Sequence, residues 1–161
     1  FAPDRGLANP LQGRIVPTAS YRRPTLARIS HIAIAVSDPE AARDFYVNGL
    51  GLEVVGELDS PTAVGYYLSD GFVNLALLKF KSDEPAMTEG APRHTGIHHF
   101  GVKVPNMTEA RAKIEAAGAV HRPYAGVEDM EKRGNVEIKF YGPDGVTVDL
   151  SEDGWAGAIS M

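Results

Sequence analysis

Two histidines stand at matching places in two copies of one pattern. Ile29-Ser30-His31-Ile32-Ala33-Ile34-Ala35-Val36-Ser37-Asp38 recurs as Ile97-His98-His99-Phe100-Gly101-Val102-Lys103-Val104-Pro105-Asn106. The same offset of 68 residues brings Ala42 onto Ala110 and Arg43 onto Arg111. A repeat of this length implies one supersecondary unit used twice. Two imidazoles brought together can hold a metal ion. The chain has no cysteine, so any metal must be held by nitrogen and oxygen.

Each histidine opens a β-run that alternates. Ile32, Ile34 and Val36 share one side and His31, Ala33 and Ala35 the other; Phe100, Val102 and Val104 oppose His99, Gly101 and Lys103. Asp38-Pro39 starts a helix over 39–48, with Ala42, Phe45 and Tyr46 as its buried stripe, and Gly49 or Gly51 ends it. Asn106 starts a second helix over 107–117, with Ala110, Ile114 and Ala117 inward. Strands are expected at 52–58, 64–68 and 72–80 in the first half, with a turn at Ser69-Asp70-Gly71. In the second half they fall at 119–121, 135–141 and 146–151, with a turn at Gly142-Pro143-Asp144-Gly145.

Each half is thus βαβββ, and one such unit leaves a sheet face uncovered. The expected fold is α+β: two βαβββ modules paired into a curved mixed sheet around a metal or ligand trough. His31 and His99 would point into it. The expected divisions are an extended, proline-broken arm at 1–26, a first module at 27–82, a linker at 83–95, a second module at 96–152 and a tail at 153–161. The segment 123–134 is a charged excursion able to cover a pocket.

Composition is that of an ordinary globular domain, 43% hydrophobic and 23% charged, with net charge −5. The basic residues of the arm (Arg5, Arg14, Arg22, Arg23) form no broad basic face with interleaved aromatics, which argues against nucleic-acid binding. No apolar run is long enough for a membrane helix, and a cytoplasmic location is expected. A homodimer is expected, with the arm as a candidate subunit contact.

At these residues the chain resembles the vicinal oxygen chelate superfamily, which includes glyoxalase I, methylmalonyl-CoA epimerase, extradiol dioxygenases and bleomycin resistance proteins. The matching pieces are His31 to Asp38, Ala41 to Gly51, Ile97 to Val102, and Gly142-Pro143-Asp144-Gly145-Val146-Thr147-Val148-Asp149-Leu150. Together they cover about residues 27–152. The resemblance implies metal ligands on the first and last strand of each half. His31 and His99 match the first type, and Asp149 matches the second-half carboxylate, where glutamate is usual. In the first half that position falls on Ala76, which cannot coordinate; Asn74 shares its face.

Two histidines and one carboxylate leave open coordination positions, which suits a non-haem iron oxygenase or a Lewis-acid site. The cofactor implied is a divalent ion: Fe, Mn, Zn, Ni or Co. The tyrosine typical of extradiol enzymes is missing at its usual spacing, which falls on Ile138. Glu57 is the candidate catalytic base. Tyr66 or Tyr67, and Glu137 or Lys139, are candidates to line the pocket. His98 falls on the opposite strand face, as a structural or outer-layer group. Arg43 and Arg111 fall on exposed helix faces. The implied activity is that of a metal-dependent lyase or isomerase, or a ring-cleaving dioxygenase, acting on a small substrate with adjacent oxygens. The alternatives are a metal-free binding or resistance protein and an accessory subunit.

Overall fold

The computed structural model describes residues 27–83, 95–122 and 137–159. The arm at 1–26, most of the linker and all of the charged excursion at 123–134 lie outside the described residues. Among the described residues eight strands form: β1 (Arg28–Ala35), β2 (Glu53–Asp59), β3 (Ala63–Ser69), β4 (Asn74–Phe80), β5 (Gly96–Lys103), β6 (Val120–Arg122), β7 (Ile138–Tyr141) and β8 (Thr147–Ser151). Helix α1 (Pro39–Leu50) follows β1, and helix α2 (Met107–Ala116) follows β5.

All eight strands join one mixed sheet in the order β2-β3-β4-β1-β5-β8-β7-β6. Within each half the first strand runs parallel to the last, β1 beside β4 and β5 beside β8. The halves meet where β1 and β5 pair antiparallel. The two histidine-bearing strands are therefore neighbours at the centre of the sheet.

The helices start as their caps dictate. Asp38 Oδ1 accepts from the Ala41 amide at 3.0 Å, and Asn106 Oδ1 from the Glu109 amide at 2.8 Å. Gly51, at φ +75°, ends α1 in the left-handed conformation. On α2 the expected inward residues Ala110 and Ile114 pack, with Met107, on Val104, Phe140 and Leu150.

The face of α1 differs from expectation. Phe45 is 64% exposed, and the half-buried positions are Ala42, Arg43, Tyr46 and Val47. Arg43 is not an outward residue: its guanidinium lies 4.8 Å from the centre of the Tyr66 ring and donates to the Tyr66 hydroxyl at 3.0 Å. That contact turns α1 so that Arg43 and Val47 meet the sheet and Phe45 faces out.

Both helices cover one side of the sheet. The other side is the trough, where Ala33, Ala76 and Leu78 pack with Leu58, Tyr67 and Phe80. Among the described residues no helix is long and apolar enough to cross a membrane.

Candidate metal and acid–base site

Strand register places the site. His31 pairs with Asn74 in β1/β4, and His99 pairs with Thr147 in β5/β8. Two residues further along the last strand stand Ala76 in the first half and Asp149 in the second. The structure thus brings His31, His99 and Asp149 together on the trough side and puts an alanine where a fourth ligand would be. All three side chains are buried.

The Nε2 atoms of His31 and His99 face each other at 3.3 Å, and His99 Nε2 lies 3.3 Å from Asp149 Oδ2. Behind them is a second layer of polar contacts. Asn74 Nδ2 donates to the Ala156 carbonyl at 2.8 Å, which turns its Oδ1 toward His31 Nδ1 at 2.7 Å. A proton on His31 Nδ1 meets that acceptor and leaves Nε2 as a lone pair. His99 Nδ1 lies 2.7 Å from His98 Nδ1. These neighbouring histidines meet because β5 carries a bulge: Ala33 pairs with His99 and Ile34 with Ile97, leaving His98 as the extra residue. His98 therefore turns to its neighbour and to the Phe80 ring, 4.9 Å away, instead of to the opposite face.

Lys139, directly across from Asp149 in β7/β8, donates to Asp149 Oδ2. Glu137 Oε2 lies 3.9 Å from Lys139 Nζ, and Glu137 Oε1 accepts from the Trp155 indole. Both pocket candidates Glu137 and Lys139 thus belong to the cluster. Trp155 stacks on His31, ring centroids 4.8 Å apart. It lies so close over Gly101 that a Cβ there would meet the indole at 2.5 Å. The segment after β8 then crosses to the first half, where Ser69 Oγ donates to the Gly157 carbonyl at 2.8 Å.

Burial decides the charge states. It lowers His31 to about 4, with Glu137 and Asn74 acting in the opposite direction. His99 is held well below the usual histidine range by burial, then by Lys139 and the other histidines. Both imidazoles are neutral near pH 7, as metal ligation requires. Asp149 is pushed up to about 7 by burial, against the pull of Lys139.

The donor set fits a divalent metal chemically: two neutral imidazoles, each with a partner on its other nitrogen, and a buried carboxylate. Asp149 Oδ1 finds no hydrogen-bond partner among the described residues, and neither does Thr147 Oγ1. As the side chains stand, no group of three or more His, Asp or Glu among the described residues is spaced to hold an ion. The carboxylate oxygen nearest the imidazoles is the one that Lys139 engages.

Glu57 is not brought to this cluster. It pairs with Tyr66, which pairs with Leu77, so it lies on the helix side and is exposed. A bulge between Val54 and Gly56 causes this. Glu53, across from Ser69, is on the trough side; regular alternation would keep Glu57 with it, and the extra residue reverses the parity. Tyr67, not Tyr66, faces the trough. His121 is exposed beside Phe140.

Residues 28–150 match the family described as the Glyoxalase/Bleomycin resistance protein/Dioxygenase superfamily. The ethylmalonyl-CoA/methylmalonyl-CoA epimerase of Cereibacter sphaeroides is 34% identical over 102 residues, covering 58% of this chain and 73% of that protein. The uncharacterized protein YwkD of Bacillus subtilis is 28% identical over 130 residues, covering 79% of this chain and 98% of its own. Among solved structures, a Streptomyces coelicolor methylmalonyl-CoA epimerase in complex with 2-nitronate-propionyl-CoA superposes with a TM-score of 0.61 at 23% identity, over 77% of this chain and 95% of that one.

Proposed function

The chain belongs to the glyoxalase/bleomycin resistance protein/dioxygenase superfamily, and from that premise we propose that its trough is a metal-dependent acid–base site. The substrate class is a small acid or thioester presenting adjacent oxygens, and the reaction is proton transfer at the carbon beside a carbonyl. The observation that carries this is the convergence of His31 Nε2, His99 Nε2 and Asp149 Oδ2 at 3.3 Å contacts in a buried pocket. The epimerase relative supports the isomerase class.

His31, His99 and Asp149 would hold the ion. A divalent metal supplies, when bound, electrostatic stabilisation of negative charge developing on the substrate oxygens. Asn74 and His98 orient the two imidazoles. Glu137, just ahead of β7 and bonded to the Trp155 indole, would take the proton, with the Lys139 ammonium beside it. Ala33, Ala76, Leu78 and Tyr67 form an apolar wall that excludes water.

Protein purified without chelators tests this by metal analysis, then by deuterium exchange into a 2-alkylmalonyl thioester in D2O followed by NMR. Near-stoichiometric metal and metal-dependent exchange are expected. Less than about a tenth of an equivalent after incubation with Fe(II), Mn, Co, Ni or Zn would overturn the proposal. Ala76 favours a second reading, since three protein ligands leave room for oxygen beside a bound diol. Iron with oxygen uptake on catechols, and no exchange, would select it.

A further inference from the structure

We propose that Lys139 is a tethered cation that competes with the metal for Asp149, and that it moves onto Glu137 when a metal binds. The inference rests on the metal-site proposal above and concerns what sets the affinity of that site.

Lys139 and Asp149 are paired across β7 and β8, so the lysine can always reach the carboxylate. Its ammonium donates to Oδ2, the oxygen that faces His99 at 3.3 Å. A metal between the imidazoles and that oxygen would set two cations on one carboxylate, in surroundings where Lys139 is 7% and Asp149 0% exposed. Repulsion at such range is strong where water is excluded. Without Lys139 the buried Asp149 would have to take up a proton or a metal ion to be compensated.

Glu137 offers the way out. Its Oε2 is already 3.9 Å from Nζ, two residues earlier in the chain and just ahead of β7. A small side-chain movement transfers the ammonium from Asp149 to the half-buried Glu137. In the metal-free site Lys139 is the cation set against the carboxylates of Asp149 and Glu137, standing where the metal's charge would otherwise act. With metal bound, the Lys139–Glu137 pair faces the substrate.

The test compares Co(II) affinity in the full chain, in Lys139→Met and in Glu137→Gln. Affinity is read by competition with a chromophoric chelator, the ligand set by visible Co(II) absorption, and folding by melting temperature with and without metal. Lys139→Met is expected to bind about tenfold or more tighter, and to be stabilised more by added metal than the parent. Glu137→Gln, which keeps an acceptor for Trp155 but loses the charge that receives Lys139, is expected to bind more weakly. Lys139→Met at or below parental affinity overturns the competition. Glu137→Gln at parental affinity overturns the movement, and it decides alone if Lys139→Met does not fold. Binding by Lys139→Met only would support the competition, whereas binding by none of the three removes the metal site itself.

Discussion

The Trp155 indole lies flat on the His31 imidazole, with ring centroids 4.8 Å apart and planes 10° from parallel. Trp155 is also the sole tryptophan of the chain. Its fluorescence therefore reports on one ligand of the candidate site. Titration with Co(II) or Ni(II) is expected to quench it with a break near one equivalent. In His31→Ala the quenching should be lost. A flat titration of the parent would separate the stacked pair from the metal.

Asn74 fixes which nitrogen of His31 is free. Asn74→Ala is expected to weaken metal binding by about 10–100-fold while the fold persists. Chelator competition measures this. Asn74→Asp should restore much of the affinity, since a carboxylate still accepts from Nδ1. Unchanged affinity in the alanine variant would make Asn74 a packing residue only.

Gly101 is required by close approach. A Cβ there would meet Trp155 at 2.5 Å and the His31 Cβ at 2.9 Å. Gly101→Ala should cost about 1–3 kcal/mol, visible as a lower denaturation midpoint. Trp155→Ala in the same chain is expected to recover part of that loss. Strictly additive losses would place the strain elsewhere.

Stability should depend on pH with opposing contributions. His31 is lowered to about 4 from 6.5, so as pH falls through that window the unfolded chain takes up a proton that the folded chain refuses, and stability falls. His99 has the same sign. Asp149, raised to about 7 from 3.8, has the opposite sign: the folded chain keeps a proton that the unfolded chain has released. Two histidines against one carboxyl leave stability rising with pH over this range, by at most about 1.4 kcal/mol per pH unit. Asp149→Asn should steepen the dependence in urea denaturation measured between pH 4.5 and 6.5 (~2 units). A slope equal to the parent's would contradict the raised Asp149.

Glu57 and Glu137 separate two placements of the proton-transfer group. Glu57→Gln is expected to leave metal-dependent exchange unchanged, being exposed on the helix side. Glu137→Gln, assayed at saturating metal, should slow exchange by about 10²–10⁴-fold. The reverse pattern would return the role to β2.

The repeat made the fold legible, because alternation in both copies assigns one face to the histidines and the other to the helices. It also located the break at Ala76, which the His31–Asn74 and His99–Thr147 registers now place opposite Asp149 in the pseudo-symmetry. What escaped was everything set by a bulge or by distant packing. One extra residue near Val55 reversed Glu57, and one at His98 turned that ring toward His99. Asn74 was visible on the right face, but its place behind His31 follows only from the β1/β4 register. Trp155 belongs to no repeat and reaches His31 only after the chain folds back across the trough. The Arg43–Tyr66 contact, likewise non-local, rotated α1.

The two halves of the trough are chemically unlike: Ala33, Ala76 and Leu78 with Tyr67 on one side, Asp149, Lys139 and Glu137 on the other. A perfectly duplicated groove would accept a guest in either of two orientations. This one has a greasy end and a charged end, so under the proposed function a guest would enter with its oxygens toward β8 and its hydrocarbon toward β4. Ala76, standing where Asp149 stands in the other half, thus gives the groove a direction.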